Sequence, residues 1–179
     1  MVNTAADLRY PIGRFTPVTP AADAVRREAL GHLETLPARM REAVAGLSDA
    51  RTDTPYRPGG WSVRQVVHHV ADSHMNALIR LKLALTENVP TVKPYDENAW
   101  GVLADARLPI DVSLRMLDGI HARWVALYRA MNSGDFARTF RHPEYPDSPL
   151  TLDWLLQQYA WHSRHHVAHI TSLRQREGW

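Results

Sequence analysis

Tyr159-Ala-Trp-His-Ser-Arg-His-His-Val-Ala-His-Ile170, close to the C-terminus of a 179-residue chain, holds four of the ten histidines. Read as a helix, it belongs to a stripe running Leu152, Leu155, Tyr159, His162, His166, Ile170 and Leu173. Steps of three and four put these residues on one face. His162 and His166, one turn apart, interrupt that buried stripe. Two imidazoles turned into a core need partners, and a divalent cation suits neutral imidazoles at i, i+4 spacing. The plainer alternative is a pair of core histidines bonded to carbonyls or water. His165 and His169 form a second i, i+4 pair on the same helix. At 100° per residue His165 lies about 60° off the stripe, on the Trp161 side. His169 lies closer and can line the site as an outer group. The stripe therefore selects His162 and His166 as ligands.

A chain of this length fits one domain, residues 1–179, and can bury a real core. Hydrophobic residues make up 45% and charged residues 22%, which is ordinary for a soluble globular protein. Lys+Arg exceed Asp+Glu by only 21 to 19, with no basic run, so neither nucleic acid nor an anionic membrane is called for. There is no cysteine, which removes disulfides, thiolate ligands and a Cys nucleophile together. Any thiol chemistry must use a thiol carried in on a small molecule. Residues 1–9 lack the apolar core of a secretory leader, and no stretch reaches ~18 apolar residues, so a cytoplasmic location is expected.

Helical signals divide the rest of the chain. Tyr10-Pro-Ile-Gly-Arg-Phe15 reads as an extended apolar arm packed on the body. Thr19 and Pro20 read as an N-cap and first helical residue, opening a helix over about 19–46 that Pro37 should break. After a turn-rich connection, Ser62 and Gln65 have capping-box spacing and open a helix to about Thr86 that carries His68, His69 and His74. A short helical turn is possible around Glu97–Leu103. A third long helix spans about 111–131, with His121 beside Ile120, and a short strand at most follows near Phe136–Phe140. Thr151 caps the last helix, to about 175. Four long amphipathic helices with long connections predict an all-α four-helix bundle.

A catalytic site of the zinc type takes three protein ligands and keeps one position open. His69 lies on the edge of the inward face of the second helix; His68 and His74 are alternatives, and periodicity alone does not separate His69 from His68. Here the chain resembles a known family. Trp61-Ser-Val-Arg-Gln-Val-Val-His-His-Val-Ala-Asp-Ser-His-Met-Asn76 and Tyr159–Ile170 are similar to the two histidine motifs of the DinB/YfiT-like four-helix proteins. The similarity extends to Tyr10-Pro-Ile-Gly13, Pro58-Gly-Gly60 and His142-Pro143, and is strongest to the YfiT branch of metal-dependent hydrolases and bacillithiol S-transferases. The resemblance implies one divalent ion per chain, zinc or nickel, held by His69, His162 and His166. It also implies a homodimer.

Three neutral imidazoles leave such an ion its full charge, which acidifies a water or thiol bound to it. Two chemistries follow: hydrolysis of an ester or similar electrophile, or transfer of a low-molecular-weight thiol such as bacillithiol to an electrophilic carbon. Asp72, three residues after His69, is the candidate catalytic carboxylate, as proton acceptor or as a hydrogen-bond acceptor for a ligand imidazole. Its plainer reading is a surface carboxylate paired with Arg64 or Arg80. Asn76 and Tyr159, one turn from candidate ligands, read first as packed core residues and second as pocket residues, and Trp61, Trp124, Trp154 and Trp161 read as core. A reading of another class is a non-catalytic scaffold in which the metal pins two helices. Such a site would be closed by a fourth protein ligand, from His165, His169, His74 or Asp72.

Overall fold

The structure, a computed structural model, describes residues 7–179. The first residues used to argue against a leader, 1–6, lie outside that range. Four long helices carry the architecture: α1 (Asp23–Val44), α3 (Val63–Thr86), α5 (Asp111–Ala130) and α7 (Leu152–Glu177). Single-turn helices occupy the connections: α2 (Asp49–Thr52), α4 (Glu97–Trp100) and α6 (Ser133–Phe136), with a 3-10 turn at Ala104–Arg107. Two two-residue strands, β1 (Thr139–Phe140) and β2 (Leu150–Thr151), pair antiparallel at the entry to α7.

The lateral neighbours are α1 with α7, α7 with α3, α3 with α5, and α5 with α1. The consecutive long helices α1 and α3 therefore sit across a diagonal, as do α5 and α7. Long connections make this possible, since a short loop would force antiparallel neighbours. One consequence matters for function: the histidine-bearing helices α3 and α7 lie side by side.

Local signals explain most boundaries. Ser62 Oγ accepts from the Gln65 amide at 3.1 Å, and Gln65 Oε1 accepts from the Ser62 amide at 3.0 Å. Gln65 Nε2 also donates to the Gly101 carbonyl at 2.8 Å, tying α3 to the following connection. Thr151 Oγ1 accepts from the Trp154 amide at 3.0 Å and starts α7. Ser62→Ala should lower stability by about 1 kcal/mol, seen as a melting temperature lower by roughly 2–4 °C. An unchanged melt would show that tertiary packing alone sets the start of α3.

The first helix departs from expectation at both of its sequence landmarks. Thr19 is not its cap; the helix begins at Asp23 after Ala22, which makes no side-chain cap. Residue 18 is instead fastened to α7, with Val18 N donating to Gln157 Oε1 at 2.8 Å and Gln157 Nε2 donating to Val18 O at 3.1 Å. Nor does Pro37 break α1, which runs through it. Proline removes the N–H that would bond to the Leu33 carbonyl. That carbonyl instead accepts from His121 Nδ1 of α5 at 2.6 Å. A tertiary hydrogen bond thus replaces the missing helical one.

The apolar interior is split into two clusters. One gathers Leu33, Leu81, Trp124, Phe140 and Leu155; the other gathers Met40, Val66, Leu117, Val167 and Ile170. On α3 the break falls at His74, on α5 near His121, and on α7 at His162 and His166. A layer of buried histidines crosses the bundle between them. Burying that many polar rings is tolerable only when they are hydrogen-bonded or metal-bound. The arm packs as expected, with Phe15 edge-on to Trp154 at 5.7 Å and Trp161 Nε1 donating to the Gly13 carbonyl at 3.2 Å.

Candidate metal centre

His69 comes from α3, and His162 and His166 come from successive turns of α7. Their candidate ligand nitrogens all lie within 4.8 Å of one another. Nε2 of His69 and Nε2 of His162 are 3.3 Å apart. Metal–nitrogen bonds of about 2.0–2.1 Å at tetrahedral angles would set ligand nitrogens about 3.3–3.4 Å apart. The donor set therefore fits a divalent ion in type, and the His69–His162 spacing matches that of two ligands on one ion. Trp61 packs its ring 4.6 Å from that of His69 and shields one side of the site.

Burial keeps these rings neutral, as metal ligation requires. Desolvation lowers the His69 pKa to about 4, with a smaller push from His169. It holds His162 and His166 well below the usual histidine range, helped by the neighbouring imidazoles. His74, His121 and His169 are lowered by burial too. A pH effect on stability follows. A folded-state pKa below the unfolded value gives stability that is complete above about pH 6.5 and lost as pH falls toward the folded pKa. Each imidazole still neutral at pH 5 costs about 2 kcal/mol there relative to neutral pH. The chelator-treated protein should melt at least roughly 4–8 °C lower at pH 5 than at pH 7. Equal melting temperatures would show that the cluster is not held neutral.

The other histidines divide by role. His68, an alternative third ligand, points away: its Nδ1 is 2.7 Å from Ser113 Oγ and its Nε2 is 3.0 Å from the Leu108 carbonyl. His74 lies behind His162, with its Nε2 3.0 Å from His162 Nδ1. His169 lies behind His166, their Nδ1 atoms 3.3 Å apart. His165 stacks on Trp161 with ring centroids 4.3 Å apart. Among the described residues the clustered ligand atoms come from His69, His162 and His166, so no fourth protein ligand closes the group.

Three cavities meet at these histidines. An outer cleft of about 400 Å³ is lined by Arg9, Tyr10, Arg57 and all three ligands. An inner cavity of about 160 Å³ is lined by His162, Tyr159, Tyr95, Arg80 and His142. A third, of about 110 Å³, is lined by His69, Asp72, Trp100 and Asp105. Asp72 is half-buried, and desolvation, with a smaller contribution from Asp105, raises its pKa to about 6. Neither arginine considered for it is its partner among the described residues. Arg64 pairs with Asp53 and Asp49, and Arg80 donates to the Lys93 carbonyl.

Tyr159 lines the inner cavity, whereas Asn76 Nδ2 bonds back to the Asp72 carbonyl at 2.9 Å. Trp124 is core, with none of its surface exposed, while Trp61 and Trp154 help line cavities at the site. The sequence gives no role to Tyr95 or Tyr145, and suggests Arg80 only as an ion-pair partner for Asp72. These cavity residues come from a helix edge and from proline-rich connections, where no periodicity flags them. His142 was noticed only as part of His142-Pro143.

Comparisons with known proteins agree with the fold. The sequence pattern of the DinB superfamily matches residues 32–170. A Bacillus mycoides protein named "Putative metal-dependent hydrolase" is 51% identical over 173 residues, covering 97% of this chain and 99% of its own. A Bacillus cereus protein of the same description is 52% identical over the same shares. The solved structure of YfiT from Bacillus subtilis, described as "a probable metal-dependent hydrolase with an unusual four-helix bundle topology", superposes with a TM-score of 0.92 at 47% identity. That match covers 96% of this chain and 98% of YfiT. With the fold and nearly the whole length in agreement, the chain belongs to the DinB superfamily and is YfiT-like.

Proposed function

We propose that this protein is a metal-dependent enzyme that activates a small nucleophile, with thiol transfer to an electrophilic carbon as its main reaction. One observation carries the reading: three imidazoles converge where an outer cleft and an inner cavity meet, and among the described residues no fourth protein ligand joins them. A structural ion would be enclosed by four ligands. Here His74 and His169, two candidates for the fourth, are engaged behind the ligands.

When bound, a divalent cation supplies the positive charge that favours an anionic nucleophile near neutral pH. The chain's own residues do the rest. His69, His162 and His166 hold the ion and contribute no charge of their own. Asp72, whose raised pKa makes it a better base than an ordinary carboxylate, takes the proton that the thiol sheds. The sulfur then forms a bond to carbon as the bond from that carbon to its leaving group breaks. Tyr95 and Tyr159 flank the inner cavity and narrow the space open to water beside the electrophile.

Two cavities meeting at His162 favour a reaction of two substrates, because each can enter from its own side. The absence of cysteine means that the thiol arrives on a small molecule, and bacillithiol is the type implied by the family resemblance. Hydrolysis is the second reading, favoured by the descriptions of the relatives. A thiol-conjugation assay with bacillithiol and a panel of electrophiles, run beside an ester panel, separates the two. Conjugation should dominate, vanish with chelator and return with zinc or nickel. Turnover of esters alone would make the protein a hydrolase, and full activity after chelation would overturn the metal-dependent reading.

A further inference from the structure

The hydrogen bonds behind the two α7 ligands all run in one direction. A backbone carbonyl can only accept. The Leu33 carbonyl, left free by Pro37, accepts from His121 Nδ1 at 2.6 Å, so the His121 proton is on Nδ1. In a neutral ring Nε2 is then an acceptor, and it lies 2.9 Å from His74 Nδ1. His74 therefore carries its proton on Nδ1 as well. Its bare Nε2 lies 3.0 Å from His162 Nδ1, which must donate. His162 is left with a bare Nε2, the atom that faces His69.

The second line has the same logic. The Arg9 carbonyl, 3.1 Å from His169 Nε2, fixes the His169 proton on Nε2. The bare Nδ1 of His169 lies 3.3 Å from His166 Nδ1, which donates and leaves its own Nε2 bare. We propose that these two carbonyl-ended histidine lines fix the tautomers of His162 and His166. Each then presents an unprotonated Nε2 to the ion, and His74, His121 and His169 are positioning residues for the centre.

The longer line takes one group from each long helix: Leu33 of α1, His121 of α5, His74 of α3 and His162 of α7. It therefore links the ligand geometry to the packing of the whole bundle. Such partners orient a ligand ring and raise its basicity, and their loss typically weakens metal binding by about 10–100-fold. The line also accounts for a proline in the middle of a continuous helix: Pro37 frees the carbonyl on which the line ends. The inference rests on the metal-centre reading above.

The test uses the zinc-loaded protein, labelled with nitrogen-15 in its histidines. Long-range proton–nitrogen correlations distinguish the two tautomers without any substitution. His162, His74, His121 and His166 should carry Nδ1–H, and His169 should carry Nε2–H. A His74 or His162 ring protonated on Nε2 overturns the long line, and a His169 ring protonated on Nδ1 overturns the short one. Zinc affinity by chelator competition gives a second readout. His74→Leu should weaken binding by about 10–100-fold. His121→Leu should weaken it in the same direction, whereas His121→Gln, whose amide oxygen can still accept from His74, should stay closer to the parent. A purely structural His121 would favour the apolar leucine over glutamine, and parental zinc affinity in His121→Leu would refute the proposal. Failure of the parent to bind zinc at all would sink the metal-centre reading, while zinc binding with other tautomers would sink this inference alone.

Discussion

His162→Ala should strip the protein of its metal and reduce turnover to background, while His165→Ala, three residues along the same helix, should leave both near the parental level. The contrast follows from where each ring is held. His162 places its Nε2 3.3 Å from that of His69 and its Nδ1 3.0 Å from His74, so both of its nitrogens are committed to the centre. Alanine removes one of three ligands and leaves His74 Nε2 without its donor. A two-imidazole site should lose more than about 100-fold in affinity, beyond the usual loss of a supporting partner. His165 stacks on Trp161 and lies edge-on to His166, with ring centroids 5.1 Å apart. Its loss trims the wall of the outer cleft and costs packing. Metal content by elemental analysis of both variants, purified alike, is the measurement. Metal retained in His162→Ala and lost in His165→Ala would move the ligand pair to His165 and His169.

Much of this arrangement was legible in residue order. The caps at Ser62 and Thr151 act within one helical turn, so their sequence signature is their structural cause. The stripe through His162 and His166 was readable because burial of one helix face imposes its period on the sequence. Periodicity does not separate His69 from His68, because both are buried, as is His74, and each faces a different partner. His68 turns to Ser113 and Leu108, His74 to His121 and His162, and His69 to the ligands of α7. Only the diagonal placement of α1 and α3 decides among these partners, and no local signal encodes it. The misjudged break at Pro37 has the same origin. A proline's missing hydrogen bond is local, but its replacement by His121 comes from 84 positions away in a different helix. The cavity residues Tyr95 and Tyr145 were not legible because connections that cross the bundle bring them to the site, and Arg80 was readable only as an ion-pair partner for Asp72.

Asp72→Asn should lower turnover by about 10²-fold or more while metal content stays intact. Asparagine keeps the size of the side chain and some of its hydrogen bonding but cannot take a proton. The case for a base rests on position and environment together. Asp72 follows His69 by three residues and lines the same small cavity. Burial, with help from Asp105, raises its pKa to about 6, so near neutral pH it is mostly ionised yet more basic than an exposed carboxylate. The parent's turnover should therefore rise with pH through about 6 as Asp72 loses its proton. Protons compete for the ligand imidazoles only at more acid pH, because burial holds their pKa values lower, and metal content measured at each pH separates the two effects. With metal held saturating, the limb due to Asp72 persists in the parent and disappears in the asparagine variant. A different outcome assigns a different role. If Asp72 orients a ligand imidazole, Asp72→Asn should weaken metal binding by about 10–100-fold, and excess metal should restore turnover. Unchanged turnover and unchanged metal affinity would leave Asp72 as a cavity-wall carboxylate and move the search for the proton acceptor to the inner cavity, where Glu97 is likewise raised by burial.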